Sequence, residues 1–223
     1  MAEGKRRKDS GRGKRAAARA APAARSAHAG DVAQAAIDAA MRLAAEKGWR
    51  NVTLPAVADA LGISLGQLYR HVRSRTAILA GLIRRIDAQV LDAGIQADAG
   101  ESARDRLFDV MMRRYEALVP YREAIASIAG DAQREPLLFL CLSGEVRRSM
   151  AWMLEAAGIA CRGPLGLLQV KGLALLHLSV LRVWLNDDSA DLAKTMAALD
   201  RGLARIEPVA RCLFKQRSSN RLT

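Results

Sequence analysis

Residues 53–82 read TLPAVADALGISLGQLYRHVRSRTAILAGL, and the punctuation of this stretch decides the fold. Thr53 predicts an N-cap, with Pro55 in the first helical turn, where its missing N–H is no loss. Val57 and Leu61 supply the apolar stripe of a short helix, and Ala58 is small enough for close helix contact. Gly62 permits a left-handed turn, and Ile63 plugs the space between helices. Ser64 caps a second short helix, predicted from Leu65 to about Val72. Leu68 and Val72 are spaced to face inward, which leaves Gly66, Gln67, Tyr69, Arg70 and His71 outward. Ser74 caps a third, longer helix with the stripe Ile78, Leu82, Ile86 and Val90, reaching to about Ala93.

Helix, tight glycine turn, helix is the helix-turn-helix arrangement. The first helix braces the second so that the second can lie in a major groove of duplex DNA. Gln67 suits adenine edges and Arg70 suits guanine. Tyr69 and His71 have the reach for phosphates. Arg73 and Arg75, with the start of the third helix, suit backbone phosphate. Thr53, Ser64 and Gly66 complete the candidate DNA-binding face. The alternative is a buried helical hairpin with no DNA role, which the polar outward face disfavours.

Upstream, Ala33, Ile37, Ala40 and Ala44 fall on one helical face of small residues, and Gly48 is placed to stop that helix. Before Asp31 the chain changes character. Residues 1–30 hold nine Lys and Arg against Glu3 and Asp9, a net of +7 out of the +12 carried by all 223 residues. This segment is too poor in large apolar residues to offset its ordering entropy, so it is expected to be a disordered basic tail. It reads as a solvated tail or as an arm that strengthens DNA binding by counterion release; a transit peptide is disfavoured by the acidic residues and the KRRK run.

Downstream the pattern stays helical, and no segment reads as a strand. Helices are expected from about Ser102 to Leu118, in a short piece from Pro120, and from about Glu135 to Ala157, closed by Gly158. Another starts at Pro164, and a last large one starts near Asp188–Asp191 and ends before Pro208. The segment 165–185 is apolar enough to raise a membrane span, but Gln169, Lys171, His177 and Arg182 argue for burial between helices instead. The expected fold class is all-α. A three-helix helix-turn-helix domain spans 31–76, a larger helical domain spans 77–208, and 209–223 form a basic tail or short amphipathic helix.

Together these elements resemble the tetracycline-repressor (TetR) family. Its DNA-binding pattern is met by Thr53, Val57-Ala58, Leu61-Gly62-Ile63-Ser64, Leu68-Tyr69-Arg70-His71-Val72 and Ser74-Arg75-Thr76-Ala77-Ile78, and the preceding AQAAIDAAMRLAAEKGW is similar to the family's first helix. Val72 stands where that family usually has Phe, and Arg75 where it has Lys. The resemblance implies a cytoplasmic, ligand-responsive regulator, a repressor, that binds a double-stranded DNA operator. It implies phosphate contacts from Tyr69, His71 and Arg75, and a homodimer formed through helices at about 165–206. It also implies an apolar small-molecule or lipid effector in the larger domain. Met111, Met112, Tyr115, Trp152, Met153, His177 and Trp184 are the candidate pocket residues, each of which also reads as ordinary core.

The segment WLNDDSADLAKTMAALDRGL (184–203) resembles a second group sharing this fold, the lipid-binding accessory proteins of ubiquinone biosynthesis. On that alternative reading, the interleaved Val209, Cys212, Leu213, Phe214 and Arg211, Lys215, Arg217 would touch a membrane. An enzyme is not expected, since no glycine-rich phosphate loop, nucleophile elbow or paired acid motif is present. Cys141, Cys161 and Cys212 form no disulfide framework, no Cys/His cluster has metal-ligand spacing, and no metal or cofactor is expected.

Overall fold

The structure is a computed structural model that describes the backbone of residues 31–94, 101–132 and 136–219, and side chains of 31–94, 101–132 and 140–206. The basic tail at 1–30 and the side chains after Ile206 lie outside the described residues. Every regular element described is helical.

The first helix, α1, covers 31–47 and buries Ala36, Ile37, Ala40, Met41 and Ala44, a face of mostly small residues that lets its neighbours approach closely. Gly48 ends it at φ 83°, a left-handed conformation that suits glycine. A 3-10 turn, Trp49–Asn51, then sinks the Trp49 ring into the core. α2 (Leu54–Ala60) and α3 (Leu65–Tyr69) follow, and α4 (Arg75–Asp92) runs out of this small head into the larger body. The domain boundary expected at 76/77 therefore falls inside one continuous helix.

The three capping expectations hold. The Thr53, Ser64 and Ser74 hydroxyls accept the N–H groups of Ala56, Gln67 and Ala77 at 3.2, 3.2 and 3.0 Å. Each cap satisfies a helix-end donor that has no partner within its own helix. Between α2 and α3 the Ile63 N–H reaches back to the Ala58 carbonyl at 3.1 Å and Gly62 N–H to Asp59 at 3.0 Å, with Gly62 at φ 66°. This is a Schellman turn, and it fixes the angle at which α3 leaves α2.

The body consists of α4 with α5 (Ala103–Leu118), α6 (Arg122–Ala132), α7 (Pro136–Ala156), α8 (Gly163–Trp184) and α9 (Ala193–Ser219). α4 packs on α5 and α7, α8 packs on α7 and α9, and α5 touches both α7 and α9. α8 is long and apolar enough to cross a membrane by composition, yet it packs one face into this bundle. It meets α9 so closely that a Cβ on Gly202 would lie 2.1 Å from Leu176 Cδ1. α8 also leaves Leu167, Leu168 and Leu175 exposed.

One boundary differs from the sequence reading. α9 does not end before Pro208 but continues to Ser219, so 209–219 extend it rather than forming a separate short helix. Pro208 has no N–H to offer the Ala204 carbonyl, yet the helix runs through it.

Two buried polar groups hold the body. Asp87 on α4 accepts from Arg114 on α5 and, at 2.6 Å, from Ser149 on α7, tying three helices at one carboxylate. Tyr115 and His177, both buried, join α5 to α8 through a 2.9 Å contact between the Tyr hydroxyl and His Nδ1.

Candidate nucleic-acid interface and ligand cavity

The sequence places α3 as the reading element, and the structure presents it to solvent. Leu68 is fully buried and holds α3 to the head, whereas Tyr69 is 66 % exposed and Gly66, Gln67 and Arg70 are exposed beside it. Thr53, Ser64 and Arg73 are also exposed. Leu65, which the sequence reading left off the face, is 48 % exposed one turn before Tyr69. The i, i+4 spacing of Leu65 and Tyr69 is the signal that would have found it.

Several candidate residues have other work. The regular helix ends at Tyr69 rather than Val72; His71 and Val72 continue as a turn bonded to the Leu68 carbonyl. Gln67 closes a capping box, its side-chain oxygen accepting the Ser64 N–H at 2.8 Å. A bidentate grip on adenine needs that oxygen, so Gln67 cannot both cap and read in this way. His71 is half-buried against α1 and α4, beside Gln34, Ile37 and Ala77.

Arg75 departs furthest from expectation. Its guanidinium turns into the head, donating to the Val52 and Arg50 carbonyls at 2.9 and 3.2 Å, with its carbon 5.4 Å from the centre of the Trp49 ring. It staples the turn between α1 and α2 to α4 instead of facing a phosphate. The planar fork of arginine explains the difference from a lysine at this position, because it can serve several carbonyls at once.

Residues 36–82 match the family described as bacterial regulatory proteins, tetR family. The head is a TetR-family domain, on a chain with the TetR fold. Solved structures agree along most of the described chain. A TetR transcriptional regulator from Nitrosomonas europaea is 23 % identical and aligns over 78 % of this chain and 96 % of its own, with a TM-score of 0.63. One from Rhodococcus sp. RHA1 is also 23 % identical, over 79 % and 96 %, with a TM-score of 0.56. Salmonella enterica GusR is 19 % identical, over 79 % and 95 %, with a TM-score of 0.53. No curated protein sequence matches the chain.

In this chain the TetR-family head is fastened to the body at two places. The 3-10 turn docks on α6: Trp49 N–H donates to Ser127 Oγ at 2.7 Å, and Arg50 donates from its backbone and guanidinium to Asp131 at 2.8 and 3.3 Å. Arg85 on α4 ties α1 to the 3-10 turn before α6, donating to Gln34 Oε1 at 2.5 Å and Tyr121 Oη at 3.0 Å, and pairing with Asp38.

Behind that junction the body holds an open-sided cavity of about 460 Å³ between α4, α5, α6, α7 and α8. α6 is shared: Ser127 and Asp131 hold the head, while Ile125, Ile128 and Ala129 line the cavity. Of the seven pocket residues suggested by the sequence, His177 alone lines it. Met111, Met112, Tyr115, Met153 and Trp184 are packed core, and Trp152 is 55 % exposed on α7. Helical periodicity says which residues point inward, but where neighbouring helices diverge is a tertiary property. His177 is deeply buried, which with the nearby Arg114 charge pushes its pKa down to about 3 and keeps the ring neutral. Burial pushes the Tyr115 hydroxyl up, so that it too stays uncharged.

The 184–203 segment that resembles the ubiquinone-biosynthesis group has a structural task here. Asp187, fully buried, accepts from the Thr195 N–H and hydroxyl at 2.8 and 2.7 Å and from the Ser189 N–H at 3.2 Å. Burial alone would raise its pKa, but these bonds outweigh that and hold the carboxyl well below the usual carboxylate range. Arg122 closes the same corner, donating to the Asp187 carbonyl and stacking 4.7 Å from the Trp184 ring centre.

Proposed function

We propose that the protein is a ligand-responsive, DNA-binding transcriptional regulator that acts as a homodimer at an operator. The observation that carries this reading is α3: a helix capped at Ser64, pinned by Leu68 and otherwise open to solvent, with Tyr69 and Arg70 on its free face. Arg70 reads guanine, Tyr69 and Arg73 hold phosphate, and Leu65 packs against a thymine methyl. Thr53, Ser64 and Gln67 serve chiefly as caps, and Gly66 leaves room for the backbone. One head offers only a short helix, so two are needed for specificity. The exposed Leu167 and Leu168 of α8 with Met196 of α9 fall within 165–206 and supply apolar surface for a two-fold dimer. By occupying an operator in the cytoplasm, such a dimer works as a repressor.

The response to a ligand runs through the cavity. The continuous helix α4 is one link between body and head, and the shared helix α6 adds a second. A ligand that favours one position of α6 also favours one position of Ser127 and Asp131, and with them the turn at Trp49 and Arg50. Only a difference in ligand affinity between the two arrangements can shift the population.

The test is selection of duplexes from random DNA by the full-length protein, followed by affinity measurements on the selected sequence. A good base contact is worth about 1–3 kcal/mol. Replacing Tyr69 and Arg70 together by Ala should therefore weaken binding by about ten-fold or more, with an unchanged circular-dichroism spectrum. Equal affinities for wild type and double variant, or no sequence enriched at all, would reject the reading.

A further inference from the structure

We propose that the cavity takes an amphipathic organic anion, with one apolar tail inside and the acid group held at the rim by Arg147 and Lys171. The proposal rests on the ligand-responsive reading above and narrows it to a chemical class. The walls are built from branched side chains such as Leu82, Ile86, Ile128, Val146 and Leu178, which a flexible hydrocarbon matches and a polar ligand does not. Such a volume falls within the range of small-molecule sites.

Charge then decides between a neutral and an anionic ligand. Among the described residues, no Asp or Glu lines the cavity, whereas Arg114, Arg147 and Lys171 do. Arg114 is compensated by Asp87 behind it, but it is only 2 % exposed and its Nε has no hydrogen-bond partner. With Arg114 already offset by Asp87, the rim cations Arg147 and Lys171 are the groups left to choose a headgroup. Arg147 and Lys171 are exposed, one on α7 and one on α8, and among the described residues neither is paired with a carboxylate. The nearest acid in sequence, Glu145, is engaged by Arg148 at 2.9 Å and Arg84 at 3.8 Å. Two cations on facing helices beside an apolar hole match an acid headgroup followed by a hydrocarbon tail, and they disfavour amines.

Calorimetric titration of the full-length protein with decanoate, decyl phosphate and decanol tests this directly. The chain length is common to all three, so the headgroup is the variable. At least one anion should bind with an affinity about ten-fold or more above that of decanol, the scale of one charge-assisted hydrogen bond. The tighter of the two anions tells a carboxylate from a phosphate source. Arg147→Gln with Lys171→Gln should remove that advantage and leave decanol binding unchanged; both positions are exposed, so the fold is not at stake. Ile128→Trp, which fills the cavity, should abolish binding of all three. Decanol binding as tightly as the anions, an advantage that survives the double Gln variant, or no binding of any of them would overturn the proposal. The selected duplex separates this from the parent reading. Decanoate that binds without altering DNA affinity keeps the anion and ends ligand response. Decanol that binds as well as decanoate, both altering DNA affinity, does the reverse.

Discussion

The head and the body of this molecule are held together by different means. The head is stabilised largely by short-range bonds, hydroxyl caps at Thr53, Ser64 and Ser74 and a Schellman turn at Gly62, with Arg75 adding one tie across the head to the Val52 carbonyl. Its core sets alanines of α1 and α2 against Ile37, Leu68 and Ile78, with a single large ring, Trp49. The body relies on contacts between residues far apart in sequence, with Asp87, Arg114 and Ser149 meeting from three helices and Tyr115 meeting His177. It also contains empty space. A unit locked by local bonds moves as one piece, whereas a bundle around a cavity has alternative packings close in energy. The head is thus suited to keep its shape on DNA while the body changes beneath it.

The strongest way to break this contrast is to remove a long-range anchor. Asp87→Ala strands the Arg114 guanidinium in the interior beside a cavity, and losing one partner of a buried pair typically costs about 3–5 kcal/mol. Urea unfolding of the full-length protein should show a loss of that order. A loss below about 1 kcal/mol would mean that water or the cavity already solvates Arg114, and the body would then owe little to this cluster.

A second prediction separates the two regions by pH. The folded-state pKa of His177 lies near 3, below its ordinary 6.5. A depressed histidine pKa means that the unfolded chain takes up the proton first, so stability is complete above pH 6.5 and falls as pH drops toward 3. Between pH 6.5 and 5 the loss should reach about 2 kcal/mol, and His177→Gln should flatten it. Asp187 contributes a separate loss at lower pH: its carboxyl is held below the usual range, so its contribution is complete above the unfolded value and disappears in acid. If the wild type and His177→Gln lose stability in parallel over that interval, the buried ring is not the titrating group.

The same division governs what the amino-acid sequence discloses. The caps at Thr53, Ser64 and Ser74 and the turn at Gly62 are written within a few residues of where they act, and each is where its neighbours predict. The fold class follows from them and from the helical periodicity. The cavity is different. Ile86 and Ile128 line it while Met111 and Met153 do not, yet all four are buried on inward-facing stripes. Only the spacing of α4, α6, α7 and α8 separates them, and that depends on everything packed between. Arg75 and Gln67 show the limit inside the head itself. Their residue types suit DNA, but the carbonyls of 50 and 52 and the N–H of Ser64 are nearer and claim them. The end of α9 differs as well, since Pro208 reads as a local stop signal yet the helix runs through it.

Gln67 supplies the finest test of the contrast, because capping and reading make opposite demands on it. If its side chain serves the Ser64 N–H, Gln67→Ala should cost about 1 kcal/mol of stability in the free protein, the usual value of a cap. Gln67→Glu keeps an acceptor at the same place and so should preserve that stability. On DNA the order changes. The glutamate sets a negative charge beside the phosphates and should weaken binding to every duplex, specific or not, whereas the alanine should leave discrimination among sequences nearly intact. A Gln67→Ala variant that is as stable as wild type but has lost its preference for one base would show that this side chain leaves the cap to read the groove. The head would then be less rigid than its bonds suggest, and part of the adaptability assigned to the body would belong to α3.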